Sequence, residues 1–341
     1  MRAVIVPEPN KVEVVDIPKP TPSPYQALVR TKVACLCNAT DAKLISGHFP
    51  GVTEYPLALG HEAAGIVEEV GTKVTTFKVG DHAIGGLVFS FEDEKINTGW
   101  GGFCEYTLVT DHDAMVADGV ANEEHGWFEA AEIQRPVADD IPWAEAAMLC
   151  TWREVYAGFS DFALTEGQDI LICGAGPVGL SFTKFGRLLG LGKIGVVDPL
   201  QWKQEKAREM GADFATVPGM EEIEDLAGKL DAVIDAVGHP AIINESLGLV
   251  KMGGSICVYG VVGDDEFTLK KCNGPYNFNL LFHQWPTRHF ERAAQEPLCD
   301  WIREGKLTAS EFISHEFPIE QFEEGLTRVS EGKAVKILFN Y

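Results

Sequence analysis

Ile170-Leu171-Ile172-Cys173-Gly174-Ala175-Gly176-Pro177-Val178-Gly179 is the stretch from which the rest of the chain can be read. Its four leading apolar residues predict a buried strand, and Val178–Leu189 has the spacing of a helix, so the glycines stand at a strand-to-helix turn. There the first glycine permits the tight bend, the second lets a pyrophosphate approach the backbone, and the third lets helix and strand pack closely. The helix N-terminus adds free N–H groups and the positive end of its dipole. A second predicted strand, Lys193–Val197, ends at Asp198, nineteen residues beyond Gly179. A carboxylate there accepts both hydroxyls of an adenosine ribose and repels a 2′-phosphate, which predicts NAD rather than NADP. The candidate coenzyme residues are Gly174, Gly176, Pro177, Val178, Gly179 and Asp198. Lys203 either pairs with Asp198 or covers the ribose.

Downstream, the same alternation continues through Lys203–Met210, Ala232–Ala236, Ala241–Val250 and Ser255–Tyr259. Strands alternating with helices predict a doubly wound parallel sheet of the Rossmann type. Ala236, Val237, Tyr259 and Gly260 fall at its strand ends, beside the expected nicotinamide. Upstream, the pattern is different. Ala3–Val6, Val12–Ile17, Ala27–Val33, Gly65–Val70 and Cys104–Val109 read as short strands between Pro and Gly turns, and Trp143 to about Phe159 reads as a helix. After about Phe282 helix and strand mix again, ending in a strand at Val335–Phe339. The expected fold class is α/β, organised as a β-rich part over 1–150, a coenzyme domain over 151–284, and a C-terminal return over 285–341.

Composition narrows the function. The 341 residues include 51 acidic and 28 basic side chains, a net charge of −23, with no basic stripe for nucleic acid or an anionic membrane surface. Between Asp111 and Glu145 ten residues are acidic and only Arg135 is basic, the composition of a solvated face or of an acid-rich partner site. No run approaches the ~18 apolar residues of a membrane helix, and Met1–Val6 lacks the core of a signal peptide. A cytoplasmic protein is expected. Eight cysteines, at 35, 37, 104, 150, 173, 257, 272 and 299, are scattered too widely for a disulfide framework.

Cys37, His61 in Gly60-His61-Glu62, and Cys150 form a separate constellation. Two thiolates and one imidazole suit zinc, with a carboxylate or water in the fourth position, and such an open site is catalytic rather than structural. Together with Thr40-Asp41, Gly60–Gly65, Val79-Gly80-Asp81-His82-Ala83, Gly101–Tyr106, the glycine turn with Asp198, Gly253-Gly254 and Lys333-Ala334-Val335-Lys336, these residues make the chain resemble the zinc-dependent medium-chain dehydrogenase/reductase superfamily, the alcohol and polyol dehydrogenases.

The resemblance implies a GroES-like catalytic domain built from the N-terminal part and the C-terminal return. It implies zinc held by Cys37, His61 and Cys150, with Glu62 beside it and able to exchange with water. Asp41 would orient His61, and Thr40 would relay the substrate's proton. Two residues, Asn38-Ala39, separate Cys37 from Thr40 where relatives have one, and Gly85–Gly101 lacks the cysteines of a structural zinc lobe, so one zinc is expected. Glu154, one helical turn after Cys150, is a further candidate ligand. The expected activity is NAD-linked oxidation of a secondary alcohol on a polyol, sugar or cyclitol, by a homodimer or homotetramer. The alternatives are a metal-free, NADPH-dependent quinone or enoyl reductase and a non-enzymatic binding or structural relative.

Overall fold

Strands form wherever β-branched and apolar residues run between the Pro and Gly punctuation of the N-terminal half. They are β1 (Arg2–Val6), β2 (Glu13–Asp16), β3 (Gln26–Cys35), β4 (Leu57–Ala58), β5 (Glu62–Val70), β6 (His82–Ile84), β7 (Asn97–Thr98), β8 (Tyr106–Thr110) and β9 (Arg135–Val137). Helices α1 (Thr40–Ser46) and α2 (His112–Ala117) interrupt them, and the long α3 (Trp143–Asp161) follows. The computed structural model describes residues 1–263 and 266–341. Contacts divide the chain into two units, Met1–Arg153 with Arg292–Tyr341, and Glu154–Glu291.

The second unit carries β10 (Ile170–Cys173), α4 (Pro177–Leu188), β11 (Ile194–Val197), α5 (Gln201–Glu209), β12 (Phe214–Thr216), α6 (Glu221–Glu224), β13 (Leu230–Asp235), α7 (Pro240–Ser246), β14 (Val250–Val258) and β15 (Asn279–Phe282). All neighbouring strands are parallel, in the order β12-β11-β10-β13-β14-β15. The order reverses between β10 and β13, the crevice where doubly wound sheets bind their ligands. Burial on both faces explains the near-continuous apolar runs of β10, β11 and β13. One expectation shifts. The span from Ala241 to Val250 is not continuous, because α7 ends at Ser246 and β14 starts at Val250, absorbing Gly253 at φ +78°.

The chain then returns to the first unit through α8 (Arg288–Ala293), α9 (Gln295–Arg303), β16 (Ile313–Pro318), α10 (Phe322–Ser330) and β17 (Lys336–Asn340). Its larger sheet runs β16-β17-β3-β5-β6-β9, with β8 also on β3, and a smaller one runs β2-β1-β4-β7. Phe103, Phe322 and Phe339 meet at centroid separations of 4.7–5.8 Å in a core that also contains Leu36, Ala63 and Ile337. Three of these core residues are immediate chain neighbours of Cys37, Glu62 and Lys336, so packing fixes the backbone from which those side chains project. The acidic segment is folded rather than merely solvated. Arg153 donates to the Ile133 carbonyl, Arg292 to the Glu132 carbonyl and to Asp113, and Gln295 to the Pro136 carbonyl.

Candidate metal centre and coenzyme site

Strand register assembles the metal centre. β3 is antiparallel to both β5 and β17, pairing Cys35 with Glu62 on one side and with Leu338 on the other. The end of β3 therefore lies beside the starts of β5 and β17, which brings Cys37 near His61, Glu62 and Lys336. The ligand atoms of Cys37, His61 and Glu62 all lie within 4.8 Å of one another. This compact group does not include Cys150, which lies buried on α3 in the same unit.

The surroundings orient each group. Asp41, fully buried in the first turn of α1, accepts the Cys37 backbone N–H at 2.9 Å through Oδ2. Its Oδ1 stands 3.7 Å from Nδ1 of His61, and Nε2 of the same ring is 3.8 Å from Oε1 of Glu62. Thr40 opens that helix, adjacent to Asp41. Trp100 meets His61 edge-on at 5.5 Å and Phe49 at the same separation. Trp100 holds a left-handed φ of +71°, an uncommon state for a bulky residue and one that marks sites where position outweighs backbone comfort.

Whether a cation belongs here can be judged from the charges. Burial works against a charged imidazole, yet the Cys37 thiolate, Asp41 and Glu62 together raise the pKa of His61 to about 10. Burial pushes Asp41 up to about 6 against the pull of His61. Asp41 Oδ1 and His61 Nδ1 are buried without hydrogen-bond partners. With Glu62 paired to the Lys336 ammonium, Cys37 and Asp41 still crowd one imidazole, and a divalent ion supplies positive charge while leaving the imidazole neutral to coordinate. The Cys37 sulfur and the His61 nitrogen are donors that zinc takes, with Glu62 beside them and Cys150 on α3 outside the compact group.

Lys336 is the functional candidate whose role the sequence reading left undrawn. Its ammonium lies 2.7 and 2.6 Å from the two Glu62 oxygens and donates to Thr151 Oγ1 at 3.1 Å. Burial favours the neutral amine, but Glu62 and the thiols of Cys37 and Cys35 outweigh it and hold the pKa above the ordinary lysine range. A signal was present: a lysine opening the apolar run Lys336-Ile337-Leu338-Phe339, buried throughout.

In the second unit, the glycines divide their work as the turn chemistry requires. Gly174 has φ +100°; a β-carbon on Gly179 would fall 1.8 Å from the Gly174 carbonyl oxygen; and Gly176 faces open space, with nothing within 4 Å of where its β-carbon would be. That open backbone at the start of α4, with Pro177 in its first turn and Val178 next, is a cradle a side chain would fill. Asp198 is buried and accepts from the Ala175 and Leu200 backbone N–H groups at 2.8 and 2.9 Å. It lines a cavity of about 560 Å³ with Leu200, Lys203, Met220, Val237 and Glu245. Lys203 lies along Trp202, its ammonium 5.7 Å from the ring centroid. Asp235 organises the neighbouring strand end: it accepts from Val237 and Gly238 through one oxygen and from His239 through the other. Ala236 lies within this turn, donating its backbone N–H to Cys173. Gly260 abuts Gly238 too closely for any side chain, and the Tyr259 ring is buried edge-on against Phe182. Tyr259 thus offers its backbone, not its ring, to that edge.

Residues 23–118 match the alcohol dehydrogenase GroES-like domain family, and residues 177–283 match the zinc-binding dehydrogenase family. An acryloyl-coenzyme A reductase of Sulfurisphaera tokodaii is 31% identical over 78% of this chain and 78% of its own length. The chain belongs to the zinc-dependent medium-chain dehydrogenase/reductase superfamily. Within this superfamily a sorbitol dehydrogenase of Halalkalibacterium halodurans is 24% identical over 94% of the chain and 93% of its own length. The solved structure of the RspB alcohol dehydrogenase of Escherichia coli CFT073, complexed with NADH, superposes with a TM-score of 0.79 at 20% identity, covering 100% of this chain and 99% of that one.

Proposed function

We propose that this superfamily member is an NAD-dependent zinc dehydrogenase that oxidises a secondary alcohol of a polyol, sugar or cyclitol to a ketone. The observation that carries the reading is the convergence of the Cys37, His61 and Glu62 donor atoms within 4.8 Å of one another, beside Asp41 Oδ1 and His61 Nδ1, which are buried without hydrogen-bond partners. Cys37, His61 and Cys150 would hold the ion, with Glu62 beside it. When bound, zinc polarises the alcohol oxygen, and the nicotinamide accepts hydride from the carbon. The remaining work falls to the chain. Asp41 Oδ1, 3.7 Å from His61 Nδ1 and not hydrogen-bonded to it, would orient the ring and raise its basicity by closing that gap. The Thr40 hydroxyl receives the proton released by the alcohol and passes it toward solvent. Asp198, with both oxygens already fixed by backbone N–H groups, presents lone pairs to ribose hydroxyls and repels a 2′-phosphate. Gly176 admits the pyrophosphate, and the Ala236–Gly238 turn and Gly260 shape the edge for the nicotinamide half.

The test is a panel of polyols, sugars and inositols with NAD or NADP, followed by NADH absorbance, with zinc counted per chain. One zinc and NAD-linked turnover are expected, and Cys150→Ser should lose both. Full activity after metal removal would reject the reading. The acryloyl-coenzyme A reductase relative favours a second reading, reduction of a conjugated thioester by NADPH. That reading wins if a chelated sample oxidises NADPH with an enoyl thioester and ignores every alcohol.

A further inference from the structure

Two adjacent residues of the C-terminal chain are bonded to every segment that carries a proposed ligand. The Val335 carbonyl accepts from Nδ2 of Asn38, the residue after Cys37, at 2.8 Å. The Lys336 ammonium binds Glu62, the residue after His61, and Thr151, the residue after Cys150. Val335 is itself anchored, its N–H donating to Ser314 Oγ at 2.8 Å. Lys336 and Glu62 are 1% and 4% exposed at their side chains, so no water competes for the ammonium. Buried charges persist only when paired, and this pair is closed on both carboxylate oxygens.

We propose that Lys336 is a positioning residue that engages the Glu62 carboxylate and keeps it from being a resident metal ligand, leaving the fourth coordination position to water or substrate. This rests on the zinc reading above. A carboxylate whose two oxygens lie within 2.7 Å of an ammonium must break that pair to coordinate, and breaking it strands a buried lysine beside Cys35, which is fully buried. Without the ammonium, Glu62 is a buried anion whose nearest cation is the metal, and it turns to coordinate. The same contact aligns α3 with the start of β5 through Thr151, so the ligand segments are held in register before an ion arrives.

Cobalt in place of zinc reads the coordination directly. Wild-type protein loaded with Co²⁺ should show thiolate-to-cobalt absorption and d–d bands that shift when azide or imidazole enters the open position. Glu62→Gln should leave those bands in place, because Glu62 is not a ligand. In Lys336→Met the bands should change before any added ligand, and azide or imidazole affinity should fall by about tenfold or more. Lys336→Arg, which keeps the cation, and the double variant Lys336→Met/Glu62→Gln should restore the wild-type bands. Absence of thiolate absorption in the wild type would remove the zinc reading itself. Wild-type absorption with bands altered by Glu62→Gln, or with Lys336→Met indistinguishable from wild type, would overturn the role of Lys336 alone. If Lys336→Met does not fold, Glu62→Gln and Lys336→Arg still decide.

Discussion

At Gly179 a methyl group would fall 1.8 Å from a backbone oxygen, whereas at Gly176 it would meet nothing within 4 Å. Two glycines three residues apart therefore make opposite predictions. Gly179→Ala forces helix α4 away from β10, and neither backbone can yield as a side chain would; a loss of about 1–3 kcal/mol is expected in urea denaturation. Gly176→Ala occupies only open space at a φ of −78°, which any residue adopts, so stability should change by no more than ~1 kcal/mol. NADH binding, followed by its fluorescence, should nevertheless weaken sharply, because the methyl stands where the pyrophosphate approaches. Unchanged NADH affinity in Gly176→Ala would remove the phosphate role from this turn. The turn was legible because strand, glycines and helix are contiguous, so their meaning survives in local sequence. Lys336 was not, since its partner Glu62 lies 274 residues away and only the antiparallel register of β3, β5 and β17 joins them.

Element by element, strands β1, β2, β3, β5, β8 and β17 are visible in their apolar runs, whereas β4, β6, β7 and β9, two or three residues each, carry too short a periodicity to announce themselves. The acidic segment likewise reads as solvent-facing because its anchors are carbonyl oxygens held by distant arginines, and carbonyls leave no trace in composition. The start of α2 shows how one acidic residue there is structural. Asp111 caps the helix by accepting from Ala114 N–H at 3.0 Å, and takes the Thr75 and Thr76 N–H groups at 2.6 and 2.7 Å and the Thr76 hydroxyl at 2.7 Å. Burial alone would raise its pKa, but these bonds from Thr76, Ala114 and Thr75 win and hold it below the ordinary value. A depressed carboxyl stabilises the fold above its unfolded pKa of about 3.9 and loses that contribution as pH falls through the lower folded value. Asp111→Asn should therefore cost about 1–3 kcal/mol near neutral pH, with the gap from wild type closing below about pH 4. Parallel urea titrations across pH give the answer; a gap that stays constant into acid would show that shape, not charge, is what Asp111 contributes.

Over the whole molecule, 51 acidic residues against 28 basic ones leave a charge of −23 that local pairing cannot absorb. Most of the ion pairs are at least partly exposed, such as Lys73 with Asp118 and Lys333 with Glu331, and pairs of that kind contribute about 0–1 kcal/mol each. Among the described residues, Lys336 with Glu62 and Arg288 with Glu291 are buried and little screened. Added salt thus has two targets with opposite signs: it weakens the exposed pairs slightly and relieves repulsion among the unpaired carboxylates. With an excess of 23 negative charges the second effect dominates, because unpaired like charges repel over distances longer than one contact. Raising sodium chloride from ~0.02 to ~0.5 M, where the screening length contracts from roughly 20 Å to a few ångströms, should stabilise the fold by roughly 1 kcal/mol and lift the thermal midpoint by about 1–2 °C. Chloride rather than sulfate is the right probe, since sulfate strengthens apolar burial by exclusion and would raise the midpoint of a neutral protein too. A midpoint that falls with sodium chloride would mean that the exposed pairs outweigh the surplus, and that the acidic surface costs this fold nothing.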